Sequence, residues 1–280
     1  MDDIASVFED VPGAGRARVL VAGEGREPLL LVHGWPACAR VFWPLLTAPG
    51  LRARFRMLAP DLFGFGRSTL RAPRLTFAHE VDAVLAVARR AGEPCLAVGT
   101  SFGARVLLEA VTQAPALFRR VVLLAPYLHR GLIESSVEGR MLARFPRQLR
   151  ALHRPPWSLV TGLWAAAASL IASGASASWA RQAIPLIADV ARMRAETVDL
   201  VGALPDGRPL LREVRVPLEL WYGDRDRLLD TRELSGLAPL RGLTVVRVDG
   251  GGHALHDSHA PELAAALLAT AVQEATEVAA

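Results

Sequence analysis

The residues best suited to chemistry are a serine, an aspartate and a histidine that lie far apart in the chain. Ser101 is the centre of GTSFG at residues 99–103, which follows an apolar run and precedes a helical pattern. A serine between a strand and a helix can project its hydroxyl from a sharp turn, and the flanking glycines let strand and helix approach closely. The spacing therefore indicates a nucleophilic serine that is acylated during catalysis.

A nucleophilic serine needs a base, and the base needs an acid that orients it. The order Ser, Asp, His is met by GDRD at residues 223–226 and GGGH at residues 250–253, each just past a predicted strand. Because the carboxyl ends of parallel strands meet at one edge of a sheet, these side chains can converge. His253 is the predicted base, and Asp224, Asp226 and Asp230 are candidates for the acid.

A second loop is predicted to face the same reaction centre. An apolar run at residues 29–32 leads into HGWP at residues 33–36. The backbone N–H groups of Trp35 and Phe102 are predicted to form an oxyanion hole, which stabilises the negative charge of a tetrahedral intermediate. His33 is interpreted as a hydrogen-bonding prop beneath this loop rather than as a catalytic base.

The elements that must position these residues indicate an α/β fold. Short runs rich in leucine and β-branched residues alternate with helical patterns, as in a parallel sheet covered by helices on both faces. Most of the strands are almost entirely apolar, as strands buried on both faces should be. The predicted strands cover residues 18–22, 29–33, 55–60, 95–98, 121–125, 218–222 and 243–248, and the predicted helices cover residues 77–91, 102–113 and 261–277.

One long segment interrupts this alternation. Strand patterns stop after Tyr127 and resume near Val216, so residues 1–127 and 213–280 are predicted to form the core domain. Residues 128–212 are predicted to form an inserted helical cap, called here the insertion segment. We expect an apolar acyl or hydrocarbon substrate, because convergent polar groups are missing from the segment. The tryptophans predicted to contact that substrate are Trp157, Trp164 and Trp179.

The chain resembles the α/β-hydrolase family over nearly its whole length. Five motifs occur in the family order: HGWP, DLFGFGRS at residues 61–68, GTSFG, GDRD and GGH. The resemblance implies a mostly parallel sheet flanked by helices with an inserted helical cap. It also implies that Asp226 is the acid, that Asp61 organises the loop after its strand, and that Ser101 cleaves a carboxylic ester or related acyl bond through an acyl-enzyme without a cofactor.

Related functions stay open on the same scaffold. Dehalogenases and epoxide hydrolases are disfavoured, because they carry aspartate where Ser101 stands. Thioesterases, acyltransferases, carbon–carbon bond hydrolases and cofactor-free haloperoxidases or perhydrolases share a serine nucleophile. A non-catalytic ligand receptor is a further alternative, although the triad and oxyanion residues are all retained in this sequence.

Charge gives a hypothesis about partners. The net charge is +4, and the basic residues are all arginines spread among acids, which disfavours nucleic-acid binding. Some arginines of the insertion segment fall near one side of a helical wheel, although Pro146 would kink a continuous helix. A solvated face is one interpretation, and docking of a carrier protein or anionic lipid headgroups is the other. These residues are Arg140, Arg144, Arg147, Arg150 and Arg154.

Several other patterns favour a soluble cytoplasmic enzyme without metal. The first residues lack the features of a secretory signal, and Cys38 and Cys95 are interpreted as reduced thiols. Residues 155–180 carry no charge, but strands of one sheet on both sides argue against a membrane span. His253, His256 and His259 recur every third residue, yet no carboxylate cluster or cysteine beside them supports a metal site.

Overall fold

The computed structural model describes residues 4–135 and 177–279, together with residues 157, 160 and 163. Within these residues, nine strands form one sheet in the order β1-β2-β4-β3-β6-β7-β8-β9, with β5 beside β2. The strands are β1 (Ala5–Val11), β2 (Gly15–Ala22), β3 (Glu27–Val32), β4 (Phe55–Pro60), β5 (Thr69–Leu70), β6 (Cys95–Thr100), β7 (Phe118–Leu124), β8 (Leu218–Gly223) and β9 (Leu243–Val248).

Most of the sheet is parallel, as predicted. β1 pairs antiparallel with β2, and β2 pairs antiparallel with β4. From β4 through β3, β6, β7 and β8 to β9, every neighbouring pair is parallel. The carboxyl ends of β3, β6, β8 and β9, after which the predicted site residues follow, therefore lie along one edge.

Helices cover both faces of this sheet. The described α-helices are α1 (Trp43–Leu46), α2 (Pro49–Arg54), α3 (Phe77–Arg90), α4 (Phe102–Gln113), α5 (Arg130–Glu134), α6 (Ala177–Val190), α7 (Glu196–Gly202), α8 (Thr231–Ser235), α9 (Leu255–Ser258) and α10 (Ala260–Ala279). Short 3-10 helices lie at Ala39–Phe42, Pro115–Leu117 and Pro209–Arg212. The three helices that the sequence predicts correspond to α3, α4 and α10.

The alternation of side chains along β3 explains why the sheet needs two helical layers. Successive strand residues point to opposite faces. Leu29 and Leu31 pack with residues of α1, α2 and α10, whereas Leu30 and Val32 pack with α3 and α4. All four leucine and valine side chains are fully buried, so β3 is fixed from both sides. Its carboxyl end, which leads into HGWP, is therefore a rigid support.

The insertion segment is described only in part. Its described elements are α5, α6, α7 and the 3-10 helix at Pro209–Arg212, in agreement with a helical segment. The division into a core domain and a cap remains a prediction. Among the described residues, we find no helix with both the length and the apolar character needed to cross a bilayer. Most of the uncharged stretch at 155–180 lies outside those residues.

Candidate active site

Ser101 occupies a strained turn between β6 and α4. Its backbone angles are φ 52° and ψ −117°, in a region that favours glycine. The Ser101 N–H donates to the carbonyl of Leu124 at 2.9 Å, and the Ser101 carbonyl accepts from the N–H of Tyr127 at 3.1 Å. These bonds to the end of β7 hold a conformation that an isolated serine would rarely adopt.

The glycines on either side of Ser101 are required by close packing. A Cβ atom at Gly99 would lie 2.8 Å from Cα of Ala104, on the first turn of α4. A Cβ atom at Gly103 would collide with the backbone of Val32 and His33 at the end of β3. Helix α4 therefore starts directly against the two strands whose ends carry the nucleophile and the HGWP loop.

The HGWP loop lies beside the serine. A Cβ atom at Gly34 would be 3.0 Å from Cβ of Ser101 and 2.9 Å from the carbonyl of Thr100. Trp35 is the next residue, and Phe102 is the first residue of α4, where backbone N–H groups lack an intrahelical acceptor. The two predicted oxyanion donors thus belong to the residues that follow Gly34 and Ser101.

His33 joins this loop to the loop after β4. Its Nδ1 atom is 2.9 Å from the carbonyl of Gly34, and its Nε2 atom accepts from the N–H of Leu62 at 3.0 Å. Since Nε2 accepts, the proton resides on Nδ1 and is donated to Gly34. Burial lowers the pKa of the His33 imidazole, which keeps it neutral. These bonds agree with the interpretation of His33 as a prop.

Asp226 and His253 form a direct pair. Nδ1 of His253 lies 2.8 Å from Oδ2 of Asp226. Oδ1 of Asp226 accepts from the N–H groups of Leu228 and Leu229 at 2.8 and 3.1 Å. Burial alone would raise the pKa of this carboxyl, but His253 and the two N–H groups outweigh burial and hold it below its ordinary value. Asp226 is therefore a buried, ionised carboxylate.

The other two candidate acids have different partners. Asp224 accepts from the N–H of Gly250 at 2.7 Å and from Nη2 of Arg247 at 2.9 Å. Asp230 caps helix α8 by accepting from the N–H groups of Arg232 and Glu233. Of the three acids, the structure brings Asp226 alone to His253.

The second contact of the predicted triad, between Ser101 and His253, is not formed. Within the part of the chain that the structure describes, no hydrogen bond joins the Ser101 hydroxyl to the His253 imidazole. Both residues follow parallel strands at the same sheet edge, and their side chains are partly exposed. Proton transfer between Ser101 and His253 therefore remains a prediction.

Asp61 organises the loop after β4 from beneath. Its carboxylate makes ion-pair contacts with Arg18, at 2.6 and 3.0 Å, and accepts from the N–H groups of Ala39 and Arg67 at 2.9 and 2.7 Å. Both Asp61 and Arg18 are buried. These bonds connect β2, the turn after HGWP and the DLFGFGRS loop. A role in loop organisation is what the resemblance implied for Asp61.

The remaining site predictions concern the insertion segment and the histidine series. Trp157 is 57% exposed, Trp179 lies in α6, and Trp164 lies outside the described residues, as do all five arginines of the predicted docking face. Substrate contact by these tryptophans thus remains a prediction.

The histidine series does not form a metal site in the described residues. His256 is buried against Phe42, with ring centroids 5.3 Å apart. Over the described ranges, no three His, Cys, Asp or Glu residues cluster in a way that could hold a metal ion.

One ionic residue beside the site was not singled out from the sequence. Asp189, near the end of α6, is fully buried and contacts three arginines of the core. The available signal was a single acid within the apolar stretch AIPLIADV at residues 183–190. Its partners could not be read from the sequence, because Arg40 and Arg67 are 149 and 122 positions away.

The fold and the serine elbow define an α/β hydrolase. Residues 29–266 match the alpha/beta hydrolase family, and the chain belongs to it. A pimeloyl-acyl-carrier-protein methyl ester esterase from Xylella fastidiosa is 28% identical over 258 residues, which cover 88% of this chain and 95% of that protein.

Solved structures agree on the fold. A thermophilic esterase from Thermogutta terrifontis superposes with a TM-score of 0.71 at 18% identity, covering 96% of this chain and 98% of that chain. The thioesterase domain from the curacin biosynthetic pathway gives a TM-score of 0.73 at 21% identity, covering 95% and 100%. At such identities the likeness concerns the fold alone.

Proposed function

We propose that this protein is a serine hydrolase that cleaves a carboxylic ester through Ser101, His253 and Asp226. The observation that carries the proposal is the 2.8 Å contact between Nδ1 of His253 and Oδ2 of Asp226. It fixes the imidazole with Nδ1 protonated, so Nε2 is left as the basic atom. Ser101 stands on the strained turn at the same sheet edge. The proposal requires its hydroxyl to reach that atom during the reaction.

Acylation uses these groups in sequence. Nε2 of His253 takes the proton from the Ser101 hydroxyl as Oγ attacks the ester carbonyl carbon. The carbonyl oxygen becomes an oxyanion that accepts hydrogen bonds from the N–H groups of Trp35 and Phe102. His253 then returns the proton to the leaving alcohol oxygen, and the acyl group stays on Ser101.

Deacylation repeats the same steps with water as the nucleophile. His253 removes a proton from water, the second tetrahedral intermediate collapses, and the proton goes back to Ser101. In both halves the imidazole becomes positively charged. Asp226 stabilises that charge, because its low pKa keeps the carboxylate ionised throughout.

The substrate class we propose is the methyl ester of an apolar acyl chain carried by an acyl-carrier protein. The relative from Xylella fastidiosa supports this class, since that protein is a pimeloyl-acyl-carrier-protein methyl ester esterase. The arginines of the insertion segment support an acidic partner: Arg140, Arg144, Arg147, Arg150 and Arg154. Carrier-protein docking and docking on anionic lipid would both use these residues, and a substrate comparison separates them.

The proposal is tested by a fluorophosphonate probe, which reacts with an activated serine. We expect rapid labelling of the wild-type chain and none of Ser101→Ala. Ser235→Ala is the matched control, because Ser235 is an exposed serine on α8 whose hydroxyl donates to the carbonyl of Arg232. Folded wild-type protein that resists labelling would contradict the proposal and favour a ligand receptor.

A substrate panel separates the subclasses. We expect faster hydrolysis of an acyl-carrier-protein methyl ester than of the same methyl ester without the carrier, and faster hydrolysis of long than of acetyl esters. Preferential cleavage of an acyl thioester or of a meta-cleavage dienone would instead identify a thioesterase or a carbon–carbon bond hydrolase. Stimulation by anionic vesicles without any carrier effect would favour the lipid surface.

A further inference from the structure

A buried ionic cluster joins the insertion segment to the core. Asp189 lies near the end of α6, and its carboxylate is 3.1 Å from Nη1 of Arg18, 2.9 Å from Nε of Arg40 and 2.8 Å from Nε of Arg67. The Asp189 side chain is fully buried, and Arg18 binds Asp61 on its other side. We call these five residues the Asp189 cluster.

Two of the three arginines of the Asp189 cluster come from the two loops that Asp61 joins, and Arg18 lies in β2. Arg40 lies in the 3-10 helix Ala39–Phe42, four residues after the end of HGWP. Arg67 belongs to the DLFGFGRS loop, and its backbone N–H binds Asp61, as does the N–H of Ala39. The same two loops are therefore bound twice. Asp189 binds the arginine side chains, and Asp61 binds the backbone N–H groups.

Two further contacts connect the same loops to the returning part of the insertion segment. Nε1 of Trp35 donates to the hydroxyl of Thr197 at 3.3 Å, and that hydroxyl donates to the carbonyl of Arg194 at 2.8 Å. The N–H of Arg194 donates to the carbonyl of Gly64 at 2.8 Å. Residues 194–197 thus contact both Trp35 of the HGWP loop and Gly64 of the DLFGFGRS loop.

Removing the Asp189 carboxylate would disturb the charge balance of the cluster. Three guanidinium groups contact the Asp189 carboxylate, so removing its charge takes an ionic contact from each of them. Burial would raise the pKa of Asp189, but the contacts with Arg67, Arg18 and Arg40 outweigh burial and lower it. Losing one partner of a buried ion pair is destabilising. Arg40 and Arg67 would move with the loops that carry them.

We propose that Asp189 is a positioning residue for ester hydrolysis, which fastens the HGWP loop through Arg40 and the neighbouring DLFGFGRS loop through Arg67, and so holds the Trp35 N–H at the oxyanion site. This inference rests on the proposed function. It assigns to the insertion segment a part in transition-state stabilisation, in addition to any contact with substrate. A purely structural Asp189 would lower stability without changing the turnover of folded enzyme.

The test compares Asp189→Asn with the matched control Asp206→Asn. Asp206 is also an aspartate of the insertion segment bound by an arginine, Arg208, at 2.6 Å, but this pair is exposed, and Arg208 contacts Glu233 on α8. We expect kcat of Asp189→Asn on p-nitrophenyl butyrate and p-nitrophenyl octanoate to fall equally, by about 10- to 100-fold, with little change in KM. Asp206→Asn should retain wild-type values.

Hydrogen exchange gives a readout that does not depend on activity. In Asp189→Asn, the amides of residues 37–41 and 64–68 should exchange faster than in wild type, whereas in Asp206→Asn they should not. Arg67→Gln is the milder second variant if Asp189→Asn fails to fold. The Arg67 side chain is 48% exposed and makes only one of the three contacts to Asp189. It should lower kcat in the same direction by a smaller factor.

Each result has one meaning. Wild-type kcat in folded Asp189→Asn or Arg67→Gln, or a rise in KM alone, would overturn the positioning role. If kcat falls in Asp189→Asn while the amides of both loops exchange as in wild type, then Asp189 does not act by holding the HGWP loop. A wild-type chain that neither labels nor hydrolyses esters would contradict the proposed function separately, and the exchange comparison would still decide whether Asp189 holds the HGWP loop.

Discussion

Asp226 binds His253 through one carboxylate oxygen while the other oxygen is held by two backbone N–H groups. The contact to Nδ1 of His253 is 2.8 Å, and the contacts to Leu228 and Leu229 are 2.8 and 3.1 Å. The carboxylate therefore cannot rotate without breaking bonds on both sides. This arrangement sets both the tautomer and the direction of the imidazole, which a freely rotating acid would leave undefined.

Replacing Asp226 by Asn should abolish most of the activity. The amide can still approach His253, but it favours the wrong tautomer and no longer stabilises the imidazolium, so we expect kcat to fall about 10,000-fold. Asp224→Asn, two residues earlier, removes a partly exposed acid bound to Arg247 and should change kcat by less than about tenfold. Steady-state measurement of kcat for ester hydrolysis by both variants tests this prediction. Equal losses in the two variants would contradict the assignment of Asp226.

The sequence predicted the parts of this site that depend on local pattern. β4 at residues 55–60 and β9 at residues 243–248 begin and end where their apolar runs do. The parallel order of the core strands follows from alternation with helices. Within GDRD, the residues left the acid open, and the family resemblance pointed to Asp226, the aspartate that the structure pairs with His253.

Other features had no local pattern to reveal them. β1 was not predicted, because it is an edge strand with mostly exposed residues, ASVFEDV, and lacks a buried alternating face. The burial of His256 could not be read from its neighbours, which include the catalytic candidate His253 and the partly exposed His259. The Asp189 cluster was not predicted for a different reason, because its members come from four separate elements and meet only after folding.

The backbone strain at Ser101 should be measurable as a difference in the free energy of unfolding between two variants. The angles φ 52° and ψ −117° suit glycine and oppose any residue with a Cβ atom. Ser101→Ala and Ser101→Gly both remove the hydroxyl, so their difference isolates the backbone. We expect Ser101→Gly to be more stable than Ser101→Ala by about 1 kcal/mol in urea unfolding. Equal stability of the two variants would mean that the turn carries no such strain.

His256 should make the protein less stable as the pH falls. Burial, with nearby His253 and His33, lowers the pKa of His256 from 6.5 to about 3. The unfolded chain therefore binds more protons than the folded chain between these two values, and stability is lost as the pH falls through that window. Between pH 7 and pH 5, His256 alone should remove about 2 kcal/mol from the free energy of unfolding.

His256→Leu tests this pH dependence, because leucine keeps an apolar contact with Phe42 and cannot take up a proton. Urea unfolding at pH 7 and pH 5 should give a smaller loss for His256→Leu than for wild type, by about 2 kcal/mol. The contributions of other titrating groups, such as buried His33, cancel in that difference. Parallel losses in the two proteins would mean that folded His256 accepts a proton at pH 5, and hence that its ring is not held in an apolar environment.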